Sequence, residues 1–159
     1  GLGQEEAIIQ ALNHSQAPSA VQCVINPLNS AGAIGYVSEA FNPLAILSEC
    51  QQLDIPILAI RAVQAGALTS SMDRSPHESG FDKSDFDDFD KAEPFRDLAI
   101  EWGESPASLA HRYALSIKGV ASVILGVKNR TELKECVEAE AKDLLSDSEI
   151  QQIENCLKG

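Results

Sequence analysis

The chain has 159 residues, of which 44% are hydrophobic and 23% are charged, as is ordinary for a folded globular protein. Its 24 acidic residues exceed its 12 basic ones and give a net charge of -12, which argues against nucleic acid as a partner because nucleic-acid-binding proteins usually present a basic face. No apolar run approaches the roughly 20 residues that cross a bilayer, and no basic and then apolar signal pattern opens the chain, so we expect no membrane partner and a cytoplasmic location.

Neither a metal site nor a disulfide framework is indicated. The four cysteines are widely separated and contain no CxxC pair, so we expect Cys23, Cys50, Cys136 and Cys156 to be free thiols in strands and helices. The acidic run DKSDFDDFD does not match the spacing of an EF-hand and lacks its central glycine, which disfavours calcium binding.

The first half of the chain predicts a helix followed by a β-α-β unit. Apolar spacing and short β-branched runs indicate a helix over residues 1–15, a strand over 19–25, a helix over 42–53 and a strand over 56–60. Asn42 and Pro43 are a typical N-cap and first residue for the second helix. The order strand, helix, strand predicts that the two strands are parallel.

Residues 70–90 differ from the rest of the chain, because they are rich in Asp, Ser and Gly, with three phenylalanines spaced among the aspartates. We interpret them as a long solvated acidic loop or a partly ordered lid, since loops longer than about 15 residues are usually functional or disordered. The phenylalanines could fold back over a cleft.

The second half predicts two helices, a strand and two further helices, which makes the whole an α/β chain. These are helices over residues 91–102 and 105–117, a strand over 120–125, a helix over 129–141 and a C-terminal helix within 143–159. The strand is nearly all apolar, so we expect it to be buried on both faces. Ser105 and Ser146 are predicted N-caps, and Glu149 completes a capping box with Ser146.

Residues 120–135 run from this strand through a loop into a capped helix, a junction that can hold an anionic ligand. Asn129 is a good N-cap, and Glu132 is placed to accept a hydrogen bond from the Asn129 amide, as in a capping box. Lys128 and Arg130 add positive charge beside the positive end of the helix dipole. The alternative, that both are ordinary solvated loop residues, is open from this segment alone.

Three segments together resemble the aldo-keto reductases, NAD(P)H-dependent oxidoreductases built on an eight-stranded α/β barrel. VQCVINPLN is similar to the sixth strand of that family and its loop, DIPILAIRAVQAGALT to the seventh, and SPASLAHRYALSIKGVASVILGVKNRTELKE to the seventh helix, eighth strand and eighth helix. The resemblance implies that residues 1–159 are one partial domain. Its implied fold is the C-terminal part of a (β/α)8 TIM barrel, an incomplete barrel with about three complete parallel strands and their helices.

The resemblance also implies a nicotinamide cofactor site at the strand ends. Gln22 would hydrogen-bond the nicotinamide carboxamide, and Ile60 stands where many members stack an aromatic side chain on the nicotinamide. The loop after Ile60 would meet the pyrophosphate, with glycine allowing close backbone approach. The positions implied in that loop are Arg61, Val63, Gly66 and Leu68.

At the other end of the cofactor, Gly126, Val127 and Lys128 match the family loop that meets the adenosine ribose. Lys128 stands where a basic residue commonly contacts the 2′-phosphate, so NADP is expected, with NAD as the alternative. Glu132 stands where Gln or Arg is frequent, and its carboxylate would repel a 2′-phosphate while accepting from a ribose hydroxyl. Glu135 matches a family glutamate that reaches the adenine amino group.

The catalytic Asp, Tyr, Lys and His of the family lie on the first four strands and their loops, and this chain resembles the part after strand five. We therefore expect no catalytic residue of that tetrad in it. Tyr36 and Tyr113 are poor substitutes for the family tyrosine, and His14, His77 and His111 look incidental.

The leading hypothesis is therefore the NAD(P)H-binding C-terminal portion of an aldo-keto reductase, whose parent activity is the reversible reduction of aldehydes or ketones to alcohols. It implies a partner that supplies the missing N-terminal half, or self-association, because a half barrel leaves open sheet edges. The alternative is a non-catalytic half-barrel that serves as an interaction or regulatory subunit. A complete small doubly wound domain is disfavoured, since no phosphate loop follows the first strand.

Overall fold

The structure is a computed structural model and describes residues 5–34 and 42–158. The described residues form three β-strands, namely β1 (Val21–Val24), β2 (Ile57–Ile60) and β3 (Val120–Val123). Their helices are α1 (Glu5–Leu12), α2 (Pro43–Leu53), α3 (Lys83–Lys91), α4 (Glu93–Glu101), α5 (Pro106–Ser116), α6 (Arg130–Glu140) and α7 (Asp147–Cys156), with a 3-10 turn at Gln64–Gly66. None of these helices is long and apolar enough to span a bilayer.

The strands form one parallel sheet in the order β1-β2-β3, which confirms the predicted parallel β-α-β unit. Val21 pairs with Ile57 on β2, and Ile57 pairs with Val120 on β3. Because the strands are parallel, their carboxyl ends meet at one edge of the sheet, and the loops that follow them collect there. That edge positions the candidate site.

Two hydrophobic clusters hold the helices in place. The first lies between the sheet and α1 and α2 and includes Ile46 and Ile57. The second joins α4, α5 and α7 through Phe95 and Leu109, and Leu68 from the loop after β2 belongs to it. Leu68 therefore anchors that loop in the core.

Strand β3 is less buried than its apolar sequence predicts. Ala121 and Ser122 are exposed, and Ile124 and Leu125, just after the strand, expose 42% and 40% of their surface. The prediction of burial on both faces is wrong for the described part of the chain, because β3 is an edge strand that pairs only with β2 there. The strand itself is confirmed.

The expectation of a solvated acidic loop over residues 70–90 is wrong for the second half of that segment, which forms α3. Asp82, Asp85 and Asp88 recur every three residues, point inward and are buried. Phe81 is 65% exposed and borders a cleft of about 650 Å³. The acidic side chains, and not the aromatic ones, therefore make the buried contacts of this segment.

The capping residues predicted for α5, α6 and α7 are confirmed, whereas α2 begins at Pro43 as predicted but its N-cap Asn42 makes no side-chain capping hydrogen bond. The Ser105 hydroxyl accepts a hydrogen bond from a first-turn amide of α5 at 3.1 Å, and Asn129 accepts one from the Glu132 amide at 3.0 Å. Ser146 and Glu149 form the capping box of α7, and the hydrogen bonds from Ser146 lower the pKa of Glu149. Each start is set locally, as capping physics requires.

Candidate functional site

A cavity of about 430 Å³ opens at the carboxyl edge of the sheet, where the loops after β2 and β3 meet. Its walls come from the loop after β2, the segment that follows this loop, the first turns of α5 and the β3–α6 junction. Among the residues that the family resemblance implies, the cavity brings together Val63, Gly66, Gly126, Val127, Lys128, Glu132 and Glu135. Residues that are far apart in the sequence thus share one site.

Glu132 closes the start of α6, but not as the predicted capping box. Its Oε2 accepts from the Lys128 backbone N–H at 2.7 Å, and its Oε1 accepts from the Asn129 side-chain amide at 2.8 Å. The prediction that it accepts from the Asn129 backbone amide is wrong, because the carboxylate satisfies the Lys128 N–H at this helix start instead. A carboxylate of the protein therefore occupies the positive end of α6.

The Lys128 ammonium lies at the mouth of the cavity and pairs with Asp73. Both side chains are largely exposed, so the pair contributes little to stability. The hydrogen bond from Lys128 holds the pKa of Asp73 below its usual range, so this carboxylate is ionised at neutral pH. Arg130 is exposed outside the cavity wall.

Glu135 and His111 form the inner wall. Glu135 accepts a hydrogen bond from the Ser105 hydroxyl, which also caps α5. His111 is buried, and its Nε2 lies 3.1 Å from Cys136 Sγ. Burial lowers the pKa of His111 and raises that of Cys136, so imidazole and thiol are both uncharged at neutral pH. The place of His111 in the cavity wall was not predicted, since no motif in the sequence marks it and it looks incidental there.

Gln22 and Ile60 lie outside this cavity, on the sheet face opposite the first hydrophobic cluster. Gln22 is exposed and pairs with Leu58, and Ile60 is half-buried at the end of β2. These three side chains share one face because side chains alternate along a strand. Leu68 is fully buried in the second cluster, so only its backbone is available to a ligand.

The loop after β2 has a backbone that side chains other than glycine seldom adopt. Arg61, Gln64 and Ala65 have φ values of 58°, 45° and 52°, and Gly66 follows with 97°. Such residues cost energy and persist only where the surrounding structure holds them, which is most often at functional sites. The loop beside the cavity is therefore held by contacts with other segments.

A buried polar cluster of Ser30, Arg61, Gln64, Asp85 and Asp88 provides those contacts. Arg61 donates from Nε to Gln64 Oε1 at 2.8 Å and from Nη2 to Asp85 Oδ1 at 3.1 Å. Gln64 donates to Asp88 Oδ2 at 2.7 Å, and Ser30 also donates to that oxygen. Burial lowers the pKa of Arg61, although Asp85 and Asp88 oppose this effect. Arg61 thus faces α3, away from the cavity.

Arg74 lines the cavity, although its sequence surroundings do not predict this position. Its Nη1 donates to the Ala65 carbonyl at 2.7 Å, and its Nη2 donates to Asp85 Oδ2 at 2.8 Å. Arg74 therefore links the cavity wall to the polar cluster. The one feature of the sequence that could have indicated a special position for Arg74 is that this basic residue stands within an acidic segment.

Replacing Gly32 with alanine is expected to destabilise the fold, because a Cβ at this position would overlap Asp85 Oδ1 and Gln64 Nε2. Gly80→Ala is the matched control, since Gly80 also has a positive φ but its Cβ would meet open space among the described residues. We expect Gly32→Ala to cost about 1–3 kcal/mol more than Gly80→Ala in urea unfolding. Equal losses of stability in the two variants would contradict close packing of Gly32 against the polar cluster.

Comparison with known families identifies the chain. The sequence profile of the aldo/keto reductase family matches residues 5–158. The chain belongs to the aldo/keto reductase family. A search of curated protein sequences found no match.

A solved aldo/keto reductase supports the same fold. The structure of the glycerol dehydrogenase AKR11B4 from Gluconobacter oxydans matches with a TM-score of 0.63 at 20% sequence identity. The match covers 87% of this chain and 42% of that chain, so this chain spans about two fifths of the length of the reductase that it matches. The open sheet of parallel strands is consistent with an incomplete barrel, as predicted.

The described tyrosine and histidine side chains outside the cavity are either buried in the core or exposed to solvent. In this aldo/keto reductase chain Tyr113 is buried, its hydroxyl donates to Glu154 at 3.1 Å, and burial raises its pKa. Tyr36 lies outside the described residues, and His14 and His77 are exposed. Among residues 5–34 and 42–158 no group of three or more His, Cys, Asp or Glu side chains could hold a metal ion.

Proposed function

We propose that the cavity binds the adenosine end of a nicotinamide dinucleotide and that the chain is the C-terminal portion of an aldo/keto reductase. The observation that carries this proposal is the convergence of Gly66, Gly126, Lys128 and Glu135 on one cavity. The cavity lies at the carboxyl ends of parallel strands, where α/β folds bind their ligands. When bound, the dinucleotide would supply or accept a hydride.

The cavity wall has groups that suit the adenine, the ribose and the pyrophosphate of the dinucleotide. Glu135 supplies the acceptor that an adenine amino group needs. A Cβ at Gly126 would meet no described atom within 4 Å, so the backbone there is open to a ribose. Arg74 places a guanidinium on the same wall as Gly66, where a pyrophosphate needs positive charge and close backbone approach.

The rest of the ligand would reach the open face of the sheet, where Gln22 could hydrogen-bond the carboxamide and Ile60 could pack on the nicotinamide ring.

We propose that the whole protein reduces aldehydes or ketones reversibly to alcohols, with its proton donor supplied from outside the described residues. The open edge of β3 would be completed by the rest of a barrel or by self-association. The free state of all four cysteines supports a cytoplasmic location.

Substituting Val127 with tryptophan tests the cavity as the cofactor site. Val127 lines the cavity and is 39% exposed, so the indole is expected to fill the cavity and weaken NADPH and NADH binding about tenfold or more, with little change in stability. Val137→Trp is the control, because Val137 is 58% exposed on α6, away from the cavity. Calorimetric titration of the folded chain measures both affinities. Equal affinities in the two variants, or no binding by the original chain, would refute the site.

A non-catalytic interaction or regulatory subunit is the second candidate function. It is favoured by the exposed apolar side chains of Ile124 and Leu125 beside the β3 edge, which a partner chain could cover. Light scattering combined with nucleotide titration discriminates between the two. A monomer that binds nucleotide supports the cofactor role, and an obligate dimer without nucleotide affinity supports the interaction role.

A further inference from the structure

The charges that line the cavity favour a ribose hydroxyl over a 2′-phosphate. Three carboxylates, those of Asp73, Glu132 and Glu135, accompany two cations, Arg74 and Lys128. Arg74 already pairs with a buried carboxylate of α3 at 2.8 Å, and Lys128 already pairs with Asp73. Lys128, the cation expected to meet a 2′-phosphate, therefore already has a carboxylate partner.

We propose that this cavity selects NAD(H) over NADP(H) and that Asp73 and Glu132 are the residues that set this selectivity. The inference rests on the proposed dinucleotide site and adds to it the identity of the cofactor. It departs from the expectation of NADP, which rests on Lys128 and sets the carboxylate of Glu132 against it, but does not include Asp73.

Glu132 is the stronger determinant, because its carboxylate is fixed in place. Its two hydrogen bonds, to the Lys128 backbone N–H and to the Asn129 side chain, are 2.7 and 2.8 Å long. The carboxylate thus takes the place at the helix start that would otherwise attract a phosphate. Displacing it would leave the Lys128 N–H without its partner. A carboxylate has about four acceptor sites, so Glu132 can still accept from a ribose hydroxyl.

Asp73 acts through Lys128. The hydrogen bond between them lowers the pKa of the Asp73 carboxyl group, which is ionised at neutral pH. A 2′-phosphate, which carries a charge of about -1.5 to -2, would have to share Lys128 with Asp73 and remain close to that carboxylate. The net charge of -12 on the chain adds to this repulsion.

The test compares 5′-AMP with adenosine 2′,5′-bisphosphate, because these nucleotides differ only in the 2′-phosphate and probe the adenosine end alone. Calorimetric titration of the full chain is expected to show about tenfold tighter binding of 5′-AMP. The double variant Asp73→Asn/Glu132→Gln should shift the affinity ratio about tenfold toward the bisphosphate. Both substitutions remove a charge and keep one side-chain oxygen as acceptor, so Glu132→Gln can retain the hydrogen bond from the Lys128 backbone N–H but loses the one from the Asn129 side chain. NAD should likewise bind the original chain more tightly than NADP.

The control is Asp87→Asn/Glu138→Gln, which removes two carboxylate charges outside the cavity, from side chains that are 46% and 63% exposed. It should leave the affinity ratio within about twofold, since distant exposed charges are screened. Circular dichroism confirms that both double variants fold. Tighter binding of the bisphosphate by the original chain, or an unchanged ratio in Asp73→Asn/Glu132→Gln, would overturn the selectivity and leave the dinucleotide site standing. Binding of neither nucleotide by the folded chain would overturn the proposed function, and the selectivity with it.

Discussion

Replacing Asp85 with alanine is expected to lower the free energy of unfolding by about 3 kcal/mol. The Asp85 side chain is only 7% exposed and pairs with Arg61 at 3.1 Å and with Arg74 at 2.8 Å, and it also accepts from the Ala33 amide at 2.9 Å. Removing it leaves the largely buried Arg61 guanidinium without its carboxylate partner, which is costly in a low-dielectric surrounding. We place the loss at the low end of the usual range because 34% of the Arg74 side chain is exposed and stays hydrated.

Asp87→Ala on the same helix is the matched control for Asp85→Ala. Asp87 is 46% exposed and pairs with Lys83 across one turn of α3 at 2.6 Å, an arrangement that typically contributes about 0.3–0.5 kcal/mol. Urea unfolding followed by circular dichroism measures both variants. A loss below about 1 kcal/mol for Asp85→Ala, or equal losses for the two variants, would show that α3 is not held by the polar cluster.

The acidic segment shows why its helix could not be predicted from sequence. Asp82, Asp85 and Asp88 recur with a spacing that suits one face of a helix, but a face of carboxylates is ordinarily solvated. The groups that make burial of Asp85 favourable are Arg61 and Arg74, and Arg61 comes from the loop after a distant strand. Burial of these aspartates therefore depends on tertiary partners that composition does not reveal.

The β3–α6 junction was predictable to a greater extent, because its determinants are local. The Asn129 cap and the extent of α6 follow from residues within one or two turns. Which amides donate hydrogen bonds to the Glu132 carboxylate could not be predicted from the sequence, since those of Lys128 and Asn129 are both within its reach. The exposure of β3 also escaped prediction, because an apolar run does not reveal whether a neighbouring strand is present.

Predicting the cavity required knowledge of the fold in addition to the sequence motifs. Family resemblance pointed to Lys128 and Glu135 as ligand-binding groups, and both line the cavity. Asp73, Arg74 and His111 line it as well, but no motif places them there, because the first two belong to the acidic segment and the third to the interior side of α5. The charge balance that underlies the cofactor selectivity is therefore visible only once these segments are brought together.

Truncating Phe95 to alanine is expected to cost about 3–5 kcal/mol of stability, because Phe95 is fully buried in the second hydrophobic cluster and its loss leaves a cavity. Phe81→Ala removes the same atoms from a side chain that is 65% exposed and should cost within about 0.5 kcal/mol. Urea unfolding of both variants checks the difference, and similar losses would contradict the assignment of Phe95 to the core.

The same substitution should loosen the loop beside the cavity, because Leu68 packs in the cluster that Phe95 fills. The Leu68 amide donates to the Val63 carbonyl at 3.2 Å within that loop. Hydrogen exchange should therefore show faster exchange of the Leu68 amide in Phe95→Ala than in Phe81→Ala, relative to amides of α2, which packs in the other cluster. Uniform acceleration throughout the chain would indicate instead that Phe95 supports only global stability, and that the loop after β2 is held by the polar cluster alone.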